Sequence, residues 1–404
     1  MSYDGPRHWV RARMARRPWW MNGLMVACAL LAGVIIPLDL FCTPLARDEQ
    51  VWFGVMLTGW PAKLGTLAHW AVYAAGAYGF WHLRSWMWPW AAVAAAQVAF
   101  SMTLWPLLYR SGARAVLAAL AGGLFYAAIA WALWRARLLF HAPRVPLAAR
   151  YGGWALITGA SSGIGAEFAR AAAREGMACV LTARRGERLR ALAAELTAAH
   201  GVATRVVEAD LSAVADCARL VDAVADLDVA VLIANAGAGV AGRFAAADPD
   251  RLAAMVALNC TAPVVLIGRL LPRLRARGRG AIIVTGSTAA HQPLPFQAVY
   301  GATKAFDLSL GEALWGEVLG SGVDVLVLSP GPVESEFAAV AGSVLPESDT
   351  PAHVVGVALN ALGQQPSVIP GWFNWLRANA IRLAPRPIAV LFAGRVMVKW
   401  LPRT

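Results

Sequence analysis

The stretch WALITGASSGIGAEFARAAAREGMACVLTARR, residues 154–185, leaves the chain few ways to fold. An apolar run is followed by a glycine-rich turn, an amphipathic segment of helical period and a second apolar run. That order is a strand–helix–strand unit with parallel strands. ATRVVEADLS, DVAVLIANAG, GAIIVTGS and VDVLVLSPG follow at helix-length intervals. The expected fold class is therefore α/β, a Rossmann-type doubly wound parallel sheet. Gly159, Gly163 and Gly165 stand where a backbone must come close to a pyrophosphate, and the next helix would turn its first amides toward it. A dinucleotide cofactor is expected. An acid at the end of the second strand would bind the adenosine ribose of NAD. Arg184, helped by Arg185, offers charge to a 2′-phosphate, so NADP(H) is expected in preference to NAD(H).

This domain occupies only the middle of the chain. Of 404 residues, 58% are hydrophobic and 15% charged, and the net charge of +12 is uneven. Residues 1–150 hold 14 Lys/Arg against 4 Asp/Glu, residues 151–350 hold 16 against 20, and residues 351–404 hold 6 against none. Basic flanks beside apolar runs point to an anionic membrane surface and away from nucleic acid. Thirteen of the eighteen tryptophans precede residue 150, and four apolar runs lie there, near 21–41, 63–83, 86–109 and 115–134. Each is long enough to span a bilayer as a helix. The second, with His69 and several glycines, is the weakest. The first lacks a small-residue cleavage site and is followed by more apolar runs, which sets it apart from a signal peptide.

Residues 1–145 thus read as an all-α transmembrane region of about four helices. Five arginines between positions 7 and 17 place the N-terminus in the cytoplasm. Four spans return the chain there, giving a multi-pass protein of the inner (cytoplasmic) membrane with its 150–350 domain facing the cytoplasm. Arg110 and Arg114 would then lie outside, against that count. His69 and His82 read as packed or interfacial. The five cysteines show no CxxC or His-partnered spacing, so they read as small buried residues and no metal is expected.

YGATK, residues 300–304, sets Tyr300 and Lys304 four apart, on one face if helical. An ammonium that close favours the phenolate form. The spacing alone also arises by chance. Its surroundings decide: TGASSGIG (158–165), ANAG (234–237), Asn259 in VALNCTAP, VTGS ending at Ser287, YGATK and SPGPVESEF (329–337). In order and spacing this set resembles the short-chain dehydrogenase/reductase family over roughly residues 150–340. The family's Asn-Asn-Ala-Gly reads Ala234-Asn235-Ala236-Gly237 here, a small departure.

The resemblance implies four catalytic residues. Tyr300 is the general acid/base, Lys304 tunes it and binds the nicotinamide ribose, Ser287 bonds the substrate oxygen, and Asn259 holds a relay water. It implies cofactor contacts from Gly159, Ser161, Ser162, Gly163, Ile164, Gly165, Arg184, Arg185, Asp210, Leu211, Asn235, Ala236 and Gly237. Tyr300, Lys304, Pro330, Gly331, Val333 and Ser335 complete that set. For Asp210 a plain helix cap is the other reading. The looser resemblance is to a bacterial branch similar to long-chain ketoacyl and hydroxysteroid reductases, which implies an apolar, lipid-like carbonyl or alcohol substrate.

Residues 351–404 alternate apolar stretches with Arg377, Arg382, Arg386, Arg395 and Lys399. They fit a membrane-surface segment with Trp372, Trp375 and Trp400 at the interface, a homo-oligomer contact, or a cover over the substrate cleft. A membrane protein that binds NADP(H) as a sensor or scaffold, without turnover, is the alternative function. The complete Ser-Tyr-Lys-Asn set speaks against it.

Overall fold

The computed structural model describes residues 5–140, 144–343 and 348–401. The chain divides into two compact units, Trp9–Pro143 and Arg144–Thr404, the second joined by the first eight residues.

In the first unit the apolar runs form the helices Trp19–Cys42, Trp60–His82, Met87–Tyr109 and Ala113–Arg135. By length and composition, all but Trp60–His82 could cross a membrane. That exception carries Lys63 and His69, the polarity that marks its run as the weakest. Pro37 has no N–H to return to the Gly33 carbonyl, and the first helix widens into a π turn over Leu31–Ile35. Arg17 donates to the carbonyls of Phe80 and Trp81 at 2.8 Å each, meeting the open end of Trp60–His82. Leu117, Leu124 and Phe125 are each more than 60% exposed on the last helix.

The unit is not all helical. An antiparallel hairpin, β1 (Glu49–Trp52) and β2 (Val55–Thr58), lies between the first two helices. Phe53 and Gly54 turn it with φ of +48° and +81°, the two-residue geometry that suits strand twist. Trp52 stacks on His69 at 4.3 Å, so that histidine is packed as expected.

In the second unit, β3 (Trp154–Thr158), β4 (Ala178–Ala183), β5 (Thr204–Glu208), β6 (Val229–Ala234), β7 (Gly280–Thr285), β8 (Val323–Leu328) and β9 (Ser367–Val368) form one parallel sheet. Its order is β5-β4-β3-β6-β7-β8-β9. β6 and β7 are buried along their whole length, as parallel strands covered on both faces must be. Phe168, Leu189, Leu196 and Val354 cover one face; Leu220, Leu266, Leu270 and Leu274 cover the other. Helix Pro249–Arg277 is also apolar enough to span a membrane, but its Leu266, Ile267, Leu270 and Leu274 are buried in the core on this face of the sheet. The sheet continues past the expected boundary at 350: helix Pro351–Ala361 packs beneath it and β9 adds a seventh strand. A two-residue strand after GQQP carries no periodic signal, so the pattern in the sequence stops short of the folded edge.

From β3 the chain winds one way to β4 and β5; from β6 it winds the other way. That reversal opens a cleft at the carboxyl edge of the strands.

Candidate active site

A cavity of about 410 Å³ fills this cleft. All the expected cofactor residues line it except Gly165. Gly159 follows β3 with φ +67°, and a Cβ there would lie 3.0 Å from the Cα of Ala236. Gly165 serves packing instead. A Cβ on it would overlap the Gly159 carbonyl oxygen and the Asn235 amide, so its bareness lets helix Gly163–Arg174 close on the turn. Thr158, which sequence reasoning passed over, fixes the facing turn by accepting from the amides of Asn235 and Ala236 at 2.9 Å each. The Asn235 side chain bonds the Thr158 carbonyl at 3.1 Å and Thr285 Oγ1 at 3.2 Å. Those bonds hold the turn without help from Ala234.

The two arginines after β4 differ. Arg185 donates to Ser161 and Ser162 at 2.8 Å each and to Glu336 at 2.6 Å. Arg184 is 73% exposed, and its nearest carboxylate, Asp210, is 4.0 Å away. Of the pair, Arg184 is the one free to meet a phosphate. Asp210 is not a helix cap, since the next helix, Val214–Asp222, is capped at Ala213; its Oδ1 accepts from Ser212 N at 3.1 Å and Ser212 Oγ at 2.8 Å in the turn before it. Partial burial opposes its charge, but those bonds and Arg184 outweigh it and hold the carboxyl below its usual range. It lines the cleft, where a cofactor contact is expected of it.

Tyr300 and Lys304 lie on helix Ala298–Glu317, Ser287 two residues past the end of β7, and all three line the cavity. Ser287 Oγ accepts from Ala289 N at 3.1 Å. Lys304 is 5% exposed and donates to the Thr285 carbonyl at 2.7 Å and to Asp307 at 3.0 Å. Burial works against its charge, but Asp307 and Tyr300 outweigh that and raise its pKa.

Asn259 does not line the cavity. It sits 1% exposed in a π turn, Ala257–Thr261, formed because Pro263 cannot donate to the Asn259 carbonyl. Its side chain is engaged at 2.9 Å with the Ala238 N–H, the Ala238 carbonyl and Thr303 Oγ1. Thr303 in turn donates to the Tyr300 carbonyl at 2.8 Å. Asn259 therefore braces the wall against the tyrosine's helix.

The lining also includes the apolar Leu294, Phe337, Val340, Met397 and Trp400, beside the polar Gln292, Gln297 and Arg377. The Phe337 and Tyr300 rings lie 5.6 Å apart. Met397 and Trp400 come from the tail, where helix Arg386–Val398 packs on Ala289 and Leu294. Of the uses expected for the tail, the cover over the cleft is therefore present. Trp400 is part of that cover, while Trp372 and Trp375 stay 77% and 55% exposed. The Asn374 side-chain amide stands 2.6 Å from where a Gly331 Cβ would sit, so a larger residue there would have to displace it. No sequence period marks Asn374, Thr158, Thr285 or Asp307. Each was hidden because its role depends on a partner distant in sequence or on depth of burial.

A family model described as short chain dehydrogenase matches residues 153–343. The very-long-chain 3-oxoacyl-CoA reductase of Neurospora crassa is 31% identical over 244 residues, covering 57% of this chain and 74% of that protein. The chain belongs to the short-chain dehydrogenase family. It is an oxidoreductase acting between alcohol and carbonyl. Among solved structures, one described for 7beta-hydroxysteroid dehydrogenase stereoselectivity superposes with a TM-score of 0.58 at 28% identity, covering 61% of this chain and 99% of that one. A short-chain dehydrogenase from Sphingobium yanoikuyae in complex with NADPH gives 0.54 at 35% identity, covering 58% and 94%.

Proposed function

We propose that this short-chain dehydrogenase is a membrane-anchored, NADP(H)-dependent reductase of an apolar, lipid-like carbonyl. The observation that carries the reading is one cavity lined by the expected cofactor residues, by apolar side chains, and by Ser287 and Tyr300. The cofactor supplies hydride when bound. Tyr300 protonates the carbonyl oxygen as charge develops on it, Ser287 donates a hydrogen bond to that oxygen, and Lys304 holds a positive charge beside the tyrosine. Arg184, exposed and weakly paired, takes the 2′-phosphate. Leu294, Phe337, Val340, Met397 and Trp400 bind the apolar substrate. The reductase name of the Neurospora crassa relative supports an acyl-type substrate.

Support for the anchor comes from the first unit: three helices of spanning length, with apolar side chains exposed along them. Water does not tolerate an apolar surface of that extent. The proposed topology counts the 23-residue helix Trp60–His82 as a fourth span, and four spans keep the N-terminus and the second unit both in the cytoplasm.

The test uses full-length protein in mild detergent with NADPH and a cellular lipid extract, following NADPH absorbance. Wild type is expected to oxidise NADPH in an extract-dependent way. Tyr300→Phe is expected to bind NADPH and turn over at least ~100-fold more slowly, the usual span of general-acid catalysis. Equal extract-dependent rates in the two proteins would remove Tyr300 as the general acid, and no oxidation by wild type with NADPH bound would favour a sensor.

A further inference from the structure

Asp307 takes no part in the chemistry above, yet it is 1% exposed and its carboxylate lies 3.0 Å from the Lys304 ammonium. A carboxylate is rarely buried so deeply without a task that holds it there. The two residues are three apart on helix Ala298–Glu317, so they share its inward face. Only Oδ2 is used; Oδ1 has no hydrogen-bond partner among the described residues. The pair is therefore not a fully satisfied structural network of the kind that stabilises a core.

Its geometry acts on Lys304. An ammonium has three N–H donors. Thr285 O takes one at 2.7 Å from β7 and Asp307 takes a second from the helix. The remaining donor belongs to the cavity, which Lys304 lines. The groups that bear on the ammonium are few: Asp307 and Tyr300 from its own helix, and the Cys260 thiol from the π turn Ala257–Thr261. Asp307 is the only carboxylate in that set. Without it, burial would be opposed only by Tyr300 and Cys260, and the balance would move toward the neutral amine.

We propose that Asp307 is a positioning residue that keeps Lys304 charged and aims its free N–H at the cleft. This rests on the reductase reading above, and its test separates the two. The chain has three lysines, Lys63, Lys304 and Lys399. Lysine labelled with ¹³C at Cε therefore gives three signals, and Lys304→Met assigns the one that matters. In wild type that signal is expected to stay in its protonated position to higher pH than an ordinary lysine. In Asp307→Asn it should titrate about one to three pH units lower.

The second arm is the pH profile of kcat/KM for carbonyl reduction. Its alkaline limb is expected to move to lower pH in Asp307→Asn and to return toward wild type in Asp307→Glu. A merely structural role would lower the amplitude without moving the limb. NADPH binding and thermal unfolding check that each variant is folded. If Asp307→Asn does not fold, the wild-type signal decides alone: a Lys304 that loses its proton below the ordinary lysine value overturns the proposal. An unmoved signal and an unmoved limb in folded Asp307→Asn overturn it as well. Should no carbonyl be reduced at all, the reductase reading fails, while the Lys304 titration still decides the role of Asp307.

Discussion

At the scale of single residues, burial decides which groups are chemically available. Cys179 is fully buried and its thiol is pushed up to about 12. Cys260 is pushed up to about 11, mainly by burial, with the Asp307 charge adding and the Lys304 charge opposing. Only the thiolate reacts with alkylating agents, so at pH 7.5 both are held almost wholly in the inert form. Iodoacetamide on the native protein is expected to leave these two unmodified by mass spectrometry and to reach them after denaturation. Native modification of Cys179 would mean that the sheet opens locally. Arg184 carries a second prediction: Arg184→Ala should weaken NADPH binding by about tenfold or more, the worth of one charge-assisted bond, and leave NADH binding unchanged. Equal loss for both cofactors in a titration would point to another phosphate ligand.

At the scale of elements, helix Gly163–Arg174 shows how packing sets up the cofactor cradle. Phe168, on its buried face, is 1% exposed. Phe168→Ala is expected to cost about 3–5 kcal/mol, read as a lower urea midpoint. Gly165→Ala should act through the turn, abolishing cofactor binding in a protein that remains helical by circular dichroism. Preserved NADPH affinity in Gly165→Ala would show that the turn can yield.

The elements legible in the sequence are those whose period is set by burial. β6 and β7 read plainly because every residue in them is buried. β9 and the hairpin β1–β2 did not, being two and four residues per strand, too short for a period to emerge. The cleft residues were legible through glycine spacing and the Tyr300–Lys304 turn. Thr158 and Asn374 were not, since their partners come together only once the sheet and tail have folded, and Asp307 was not, since its depth of burial appears only in the fold.

At the scale of the whole molecule, the proposal joins a catalytic unit to a lipid-embedded one. Cys42 is exposed at the end of helix Trp19–Cys42, at the far side of the first proposed span. A membrane-impermeant maleimide on intact cells is expected to label Cys42, while cysteines of the second unit become reachable only after permeabilisation and denaturation. Labelling of Cys42 only after permeabilisation would reverse the topology. The same arrangement gives the apolar lining of the cavity its purpose, because an anchored enzyme meets substrates at the concentration they reach in the bilayer.

The most direct measurement of the central claim is deuteride transfer. Membranes containing the full-length protein would be incubated with NADPH deuterated at C4 of the nicotinamide, and the lipids analysed by mass spectrometry. The account predicts one deuterium on the carbinol carbon of an apolar alcohol, absent with Tyr300→Phe. Deuterium appearing only in water-soluble alcohols would contradict the lipid substrate, and none anywhere, with NADPH bound, would contradict the reductase itself.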